Sequence, residues 1–287
     1  MSTTTQAQLI TPELRQWIVE QARSGHRPED VLQAMVSSGW HEDTAIKAME
    51  ETLAGHLEQQ AVSQGLPPAS KVPEPSLDDQ PNRVWAGDRW VNVLMSQFNP
   101  RVVVFGDLLS QDECDELIAL SRERLARSET VVNETGESRV DAARTSDGMF
   151  FQRGEHPLIT RLEARFAALL NWPVQNGEGL QILRYGPGAQ YEPHHDWFDP
   201  KHEGTPTIVA RGGQRVGTLI CYLHSPAKGG GTTFPDVHLE VAPVKGNGVF
   251  FSYERPHAST RTLHGGAPVI EGDKWICTKW LREREFV

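Results

Sequence analysis

The spacing of apolar residues divides the chain into three stretches. The first has a helical period. In "TPELRQWIVEQARSG", Thr11 is an N-cap, Pro12 takes the first helical position, and Leu14, Trp17, Ile18 and Ala22 share a face before Gly25 stops the helix. "RPEDVLQAMVSSGW" repeats the pattern with Val31, Leu32 and Met35 inward, and "HEDTAIKAMEETLAGHL" with Ala45, Ile46, Met49 and Leu53 inward. Residues 1–60 are therefore expected to form a small three-helix bundle. The second stretch, residues 61–83, is rich in Pro, Ser and acid ("LPPASKVPEPSLDDQPN"), lacks periodicity, and reads as a linker.

The third stretch, residues 84–287, mixes two periods. "RVVVFGDLLS" reads as a strand. "SQDECDELIALSRERLARSE" reads as a helix opened by a Ser110/Glu113 capping box, and "HPLITRLEARFAALLNW" as a helix with Ile159, Leu162, Phe166 and Leu169 inward. Short strands follow: "GLQILRYG", "RVGTLICYLH", "HLEVAPV", "GVFFSYE" and "KWICTKWL", punctuated by Gly, Pro and Asp. Two helices followed by many short strands predict an α+β domain with helices packed on an antiparallel double sheet.

Composition narrows the function classes. A formal net charge of -10 gives no electrostatic help toward phosphate backbones, so no nucleic-acid partner is expected. No segment reaches the roughly 20 apolar residues of a membrane span, and "MSTTTQAQLITPELRQ" lacks a secretory pattern. Cys114, Cys221 and Cys277 are widely spaced and odd in number, which predicts free buried thiols. The expectation is a cytoplasmic protein without a membrane partner.

Candidate chemistry begins at "YGPGAQYEPHHDWFDP", residues 185–200. In extended backbone, side chains alternate, so His194 and Asp196 share a face and His195 points away. A histidine-rich surface loop is the plain alternative. His264, on a distant segment, offers a third ligand. Two histidines and one carboxylate leave three coordination positions open, the geometry of non-haem Fe(II) oxygenases. Zinc is the chemical competitor, although structural zinc prefers four protein ligands. Lys274, just beyond a turn after His264, favours iron: a buried ammonium in the same cavity needs an anion, and the distal carboxylate of 2-oxoglutarate would be one.

With these residues in order, the chain from about Phe98 onward resembles the prolyl 4-hydroxylase-type 2-oxoglutarate/Fe(II)-dependent dioxygenases. "ARTSDGMFF" looks like that family's R-T-S-x-G-M-F segment, "YGPGAQYEPHHD" like its Y-x-x-G-x-x-Y-x-x-H-x-D, "QRVGTLICYL" and "GGGTTFP" like its middle strand and turn, and "LHGGAPVIEGDKWICTKW" like its closing block. The resemblance implies a double-stranded β-helix, or jelly-roll, core. It implies His194, Asp196 and His264 as iron ligands, with Lys274, Tyr185 and Thr232 on 2-oxoglutarate. It places Tyr191, Arg144, Ser146, Arg215 and Trp280 against substrate. Cosubstrates would be 2-oxoglutarate and O2, with Fe(II) as the metal and ascorbate as reductant. Two features depart from the family pattern: Gly231 replaces the acid of a G-G-E-T turn, and "DPKHEGTPTIVARGG" looks inserted near the site entrance.

The expected reaction is hydroxylation of prolyl residues in a peptide or protein, releasing succinate and CO2. Two alternatives stand beside it: a hydroxylase of a free amino acid or other small metabolite, and a catalytically silent jelly-roll that binds a metal or a partner. The N-terminal helices look loosely like a ubiquitin-associated-type fold, with "MVSSGW" at the loop. They are expected to bind a protein partner, to self-associate or to dock on the catalytic part.

Overall fold

The structure, a computed structural model, describes residues 8–127, 129–131, 138–140 and 145–287. The chain divides into two compact units, residues 1–69 and 70–287.

In the first unit, α1 (Pro12–Arg23), α2 (Pro28–Ser37) and α3 (Glu42–Ser63) bury Ile18, Val31, Met35, Ala45, Ala48 and Met49 together. Thr11 caps α1, its side chain accepting the backbone N–H of Leu14 at 3.3 Å. Two expected inward positions differ: Ala22 and Ile46 are exposed. α3 turns its alanines inward instead, because small side chains let helices approach closely and Ala45, Ala48 and Met49 share a face.

The second unit is a mixed helix and sheet structure. Its strands, in chain order, are β1 (Arg83–Trp85), β2 (Trp90–Gln97), β3 (Arg101–Gly106), β4 (Ala126–Arg127), β5 (Glu129–Val131) and β6 (Ser138–Val140). Then come β7 (Asp147–Phe151), β8 (Leu180–Tyr185), β9 (Tyr191–His194), β10 (Arg215–His224), β11 (Lys228–Gly229) and β12 (Thr232–Phe234). The last are β13 (Leu239–Val241), β14 (Gly248–Ser252), β15 (His264–Gly266), β16 (Val269–Glu271) and β17 (Lys274–Arg282). A nine-stranded antiparallel sheet runs β1-β2-β3-β14-β10-β17-β8-β7-β4, and a four-stranded sheet runs β13-β12-β15-β9.

Strand alternation sorts two cores. From β10, Leu219, Cys221 and Leu223 pack toward α4 (Gln111–Ser121) and α5 (Pro157–Leu170), which contribute Leu117, Leu162 and Phe166. Ile220 and Tyr222 face the other way, into a second core with Phe234 and Val241 of the small sheet. The three cysteines are buried free thiols, as expected. Among the described residues no helix is long and apolar enough to cross a membrane.

The stretch expected to be a linker, residues 61–83, is not a free tether. Its start belongs to the helical unit, since α3 extends to Ser63. From Ser70 it is strapped onto the second unit. Ser70 N–H donates to the Glu254 carbonyl at 2.6 Å, Glu74 N–H to the Leu170 carbonyl at 3.0 Å, and Val72 and Leu77 pack on the helix-side core. Pro73 lies against Gly217, where an added Cβ would meet it at 2.7 Å. Proline and acid in this stretch suit an extended strap as well as a loose linker, so composition alone does not separate the two.

Candidate active site

The antiparallel pairing of β9 with β15 sets His194 directly opposite His264. Residues far apart in the chain thereby become cross-strand neighbours, their ring centroids 4.4 Å apart. Asp196 lies just past the end of β9. Its Oδ1 is 3.6 Å from His194 Nε2 and its Oδ2 3.4 Å from His264 Nε2. Ligand atoms from all three residues fall within 4.8 Å of one another. His195 points away and stacks on Trp197, as alternation requires.

The donor set suits a divalent transition metal. Each imidazole aims Nδ1 at a backbone carbonyl two residues upstream, His194 at Glu192 (2.8 Å) and His264 at Thr262 (3.1 Å). That orientation turns both Nε2 atoms inward. Burial lowers the His264 pKa to about 4, so the ring is a neutral ligand at pH 7. Burial opposes ionisation of Asp196, but the neighbouring imidazoles outweigh it and hold the carboxyl well below the usual carboxylate range. Two imidazole nitrogens and one carboxylate oxygen fit Fe(II), and no fourth side chain closes the cluster among the described residues.

The opposite end of the pocket is built from β8, β10, β12 and β17. Lys274 is directly paired with Tyr185 and is 3% exposed. Its Nζ sits 5.5 Å from the Tyr185 ring and 5.8 Å from the Tyr222 ring. Among the described residues no carboxylate lies within ion-pair distance of it. Burial lowers its pKa to about 8, against the pull of Glu240. Tyr222 donates its hydroxyl to Thr232 Oγ1 at 2.8 Å, which leaves the Thr232 proton free for a ligand. The space expected for an acid at position 231 is taken by Glu240, whose Oε1 would clash with a Cβ there.

Between the two ends lies a pocket. Of the residues predicted from sequence, His194, Asp196, His264, Lys274, Tyr185, Thr232, Tyr191 and Trp280 line it. The Tyr191 ring stacks on His194 at 3.7 Å. Trp280 is buried, and its Nε1 has no hydrogen-bond partner among the described residues. Ser146 is buried outside the lining, and Arg144 lies outside the described residues. Arg215 is also outside the lining. Its guanidinium forks onto Glu178 at 2.7 and 2.9 Å and stacks on Trp280 at 3.9 Å, while Glu178 also accepts from Arg282 at 2.6 Å. The inserted-looking segment carries α6 (Thr205–Ala210) and contributes nothing to the lining. Gln214 closes its base, accepting from Phe198 N–H and donating to the Phe198 carbonyl, both at 2.8 Å.

Sequence reasoning missed Thr218, Tyr222 and Tyr253. Thr218 and Tyr222 stand at inward positions in the apolar middle of β10, which is the signal that marks them.

Two histidines on a small antiparallel sheet and an aspartate just past its edge strand face one pocket with a buried lysine at its far end. Residues 180–282 match the model of the 2OG-Fe(II) oxygenase superfamily. Prolyl 4-hydroxylase 5 of Arabidopsis thaliana is 37% identical over 221 residues, covering 70% of this chain and 74% of that protein. Prolyl 4-hydroxylase 2 of the same plant is 38% identical over 210 residues, covering 65% and 69%. The chain belongs to the prolyl 4-hydroxylase-type family of 2-oxoglutarate/Fe(II)-dependent dioxygenases. The viral collagen prolyl hydroxylase of Paramecium Bursaria Chlorella virus-1, solved with 2OG, aligns with a TM-score of 0.49 at 29% identity over 63% of this chain and 95% of that one.

Proposed function

We propose that this enzyme hydroxylates prolyl residues in a peptide or protein substrate, consuming 2-oxoglutarate and O2 and releasing succinate and CO2. The observation that carries the reading is a facial His-Asp-His set and a buried lysine with no carboxylate in ion-pair distance among the described residues, in one pocket, in a chain whose curated relatives are prolyl 4-hydroxylases.

His194, Asp196 and His264 hold Fe(II). Lys274 receives the distal carboxylate of 2-oxoglutarate, and the Tyr185 and Thr232 hydroxyls complete that end. Bound together, Fe(II) and 2-oxoglutarate supply oxidative decarboxylation and the activated oxygen that hydroxylates a C–H bond. The protein's part is positioning and exclusion of water. Leu183, Ile220 and Ile276 give the pocket a wall without donors or acceptors, so water has little to bind there. Tyr191 braces the His194 ring, and the Trp280 N–H, without an acceptor among the described residues, would donate to a substrate carbonyl. The two facing sheets are read as the halves of a jelly roll. Ascorbate is assigned the role of external reductant, with no residue attached to it. The helical unit is read as a module that binds a protein partner or self-associates.

The test is incubation with proline-rich peptides and, separately, with free proline, followed by mass measurement. Addition of one oxygen atom to the peptide supports the reading. Oxidation of free proline alone would point to a small-metabolite hydroxylase. No Fe(II)- and O2-dependent succinate with either substrate or with cell-lysate proteins would favour a silent binding protein.

A further inference from the structure

We infer that Thr218 and Tyr253 are positioning residues for the metal: a buried relay from Tyr253 through Thr218 fixes the Asp196 carboxylate within its ligand set. The inference rests on reading His194, Asp196 and His264 as metal ligands.

The three ligands are not held alike. Each histidine is locked by a backbone carbonyl two residues upstream. Asp196 has no such lock, and it lies beyond the last residue of β9, outside any strand ladder. The hydrogen bond that orients it comes from Thr218 Oγ1, 2.7 Å from Asp196 Oδ2. Thr218 Oγ1 is in turn 2.9 Å from the Tyr253 hydroxyl.

The proton order follows from valence. An ionised carboxylate only accepts, so Thr218 gives its single proton to Asp196. The Thr218 oxygen is then left with lone pairs, so Tyr253 donates to it. Thr218 is 0% exposed and Tyr253 1%, so water does not compete for either bond. Successive bonds in such a chain polarise one another and strengthen the last.

The relay also has a rigid base. Thr218 sits mid-strand, paired with Phe251 of β14 on one side and Trp280 of β17 on the other. Tyr253 is tied to the same strand by its N–H, which donates to the Val216 carbonyl at 3.1 Å. The relay thus carries the position of the large sheet across to a ligand outside both sheets. Partners of this kind are typically worth about 10- to 100-fold in metal affinity.

The experiment titrates Co(II) into the full-length protein without O2 and follows its visible d–d absorption. Thr218→Val is expected to weaken Co(II) binding about 10- to 100-fold and to change the band shape. Thr218→Ser, which keeps the hydroxyl, is expected to restore both. Tyr253→Phe removes one neutral hydrogen bond and is expected to weaken binding about three- to tenfold. The double variant Thr218→Val/Tyr253→Phe should be no weaker than Thr218→Val, because Tyr253 acts only through Thr218. Wild-type affinity and spectrum in Thr218→Val would overturn the relay, as would additive losses in the double variant. If Thr218→Val does not fold, Tyr253→Phe decides, and unchanged Co(II) affinity in it overturns the inference. A His264→Ala variant separates the two levels: if it binds Co(II) as the wild type does, the metal site itself is misread, whatever the relay variants show.

Discussion

Lys274 places a buried ammonium in the pocket lining. Lys274 has no carboxylate within ion-pair distance among the described residues, and its pKa is lowered to about 8. Only the protonated form attracts a distal carboxylate. Affinity for 2-oxoglutarate should therefore be flat below pH 8 and fall as pH rises through it, measured by calorimetry on the Co(II)-loaded protein. Lys274→Ala should weaken 2-oxoglutarate binding by about 2–5 kcal/mol while leaving Co(II) affinity near wild type. Unaltered cosubstrate affinity would remove Lys274 from the site. Arg215 is expected to behave differently. The family resemblance places it against substrate, but its guanidinium is spent on buried Glu178 and on Trp280. Arg215→Ala should therefore cost stability, on the order of 3 kcal/mol, because Glu178 is left with Arg282 alone. An unchanged denaturation midpoint with lost peptide affinity would return Arg215 to substrate binding. The clustering of His194, Asp196 and His264 was legible because their chemistry is one that ordinary surface loops seldom assemble in that order. The fate of Arg215 was not, because its partner, Glu178, lies on a different segment and carries no motif.

Elements were most legible where local rules suffice. The Ser110/Glu113 capping box forms as its spacing predicts, with Ser110 Oγ accepting from Glu113 N–H at 3.1 Å and Glu113 Oε2 accepting from Ser110 N–H at 2.9 Å. Ser110→Ala should cost about 1 kcal/mol in chemical denaturation. Glu113→Ala should cost more, since Arg165 also donates to that carboxylate at 2.7 Å from two nitrogens. Equal losses would mean that the ion pair adds nothing to the cap. Strand β10 shows the same legibility: alternation assigns Leu219, Cys221 and Leu223 to one core and Ile220 and Tyr222 to the other. Ile46 shows its limit. Hydrophobicity alone ranks an isoleucine above an alanine, whereas close helix packing prefers the smaller side chain.

At the level of the whole chain, the boundary between units falls at residue 70 and not at 84. A fragment starting at residue 70 keeps the Ser70 contacts to Glu254 and Glu283, the Glu74 pair with Arg101, and the packing of Val72 and Leu77. A fragment starting at residue 84 loses all of them. The shorter fragment is expected to melt at a lower temperature in a thermal scan, and coincident melts would show that the strap contributes nothing. Strap and linker look alike in composition because both are extended and poor in apolar periodicity. What separates them is whether a surface elsewhere accepts their carbonyls, amides and prolines.

Residue type and order were enough to single out the His-Asp-His set and the lysine that share one pocket, the alternation of the strands and the class of chemistry, because valence, local backbone period and motif order carry them. Distance was not. That His194 meets His264 depends on the register of β9 against β15, and that Asp196 is held by Thr218 and Tyr253 depends on how the two sheets face each other. These are contacts between segments remote in sequence, set by the packing of the whole domain, and no local pattern encodes them.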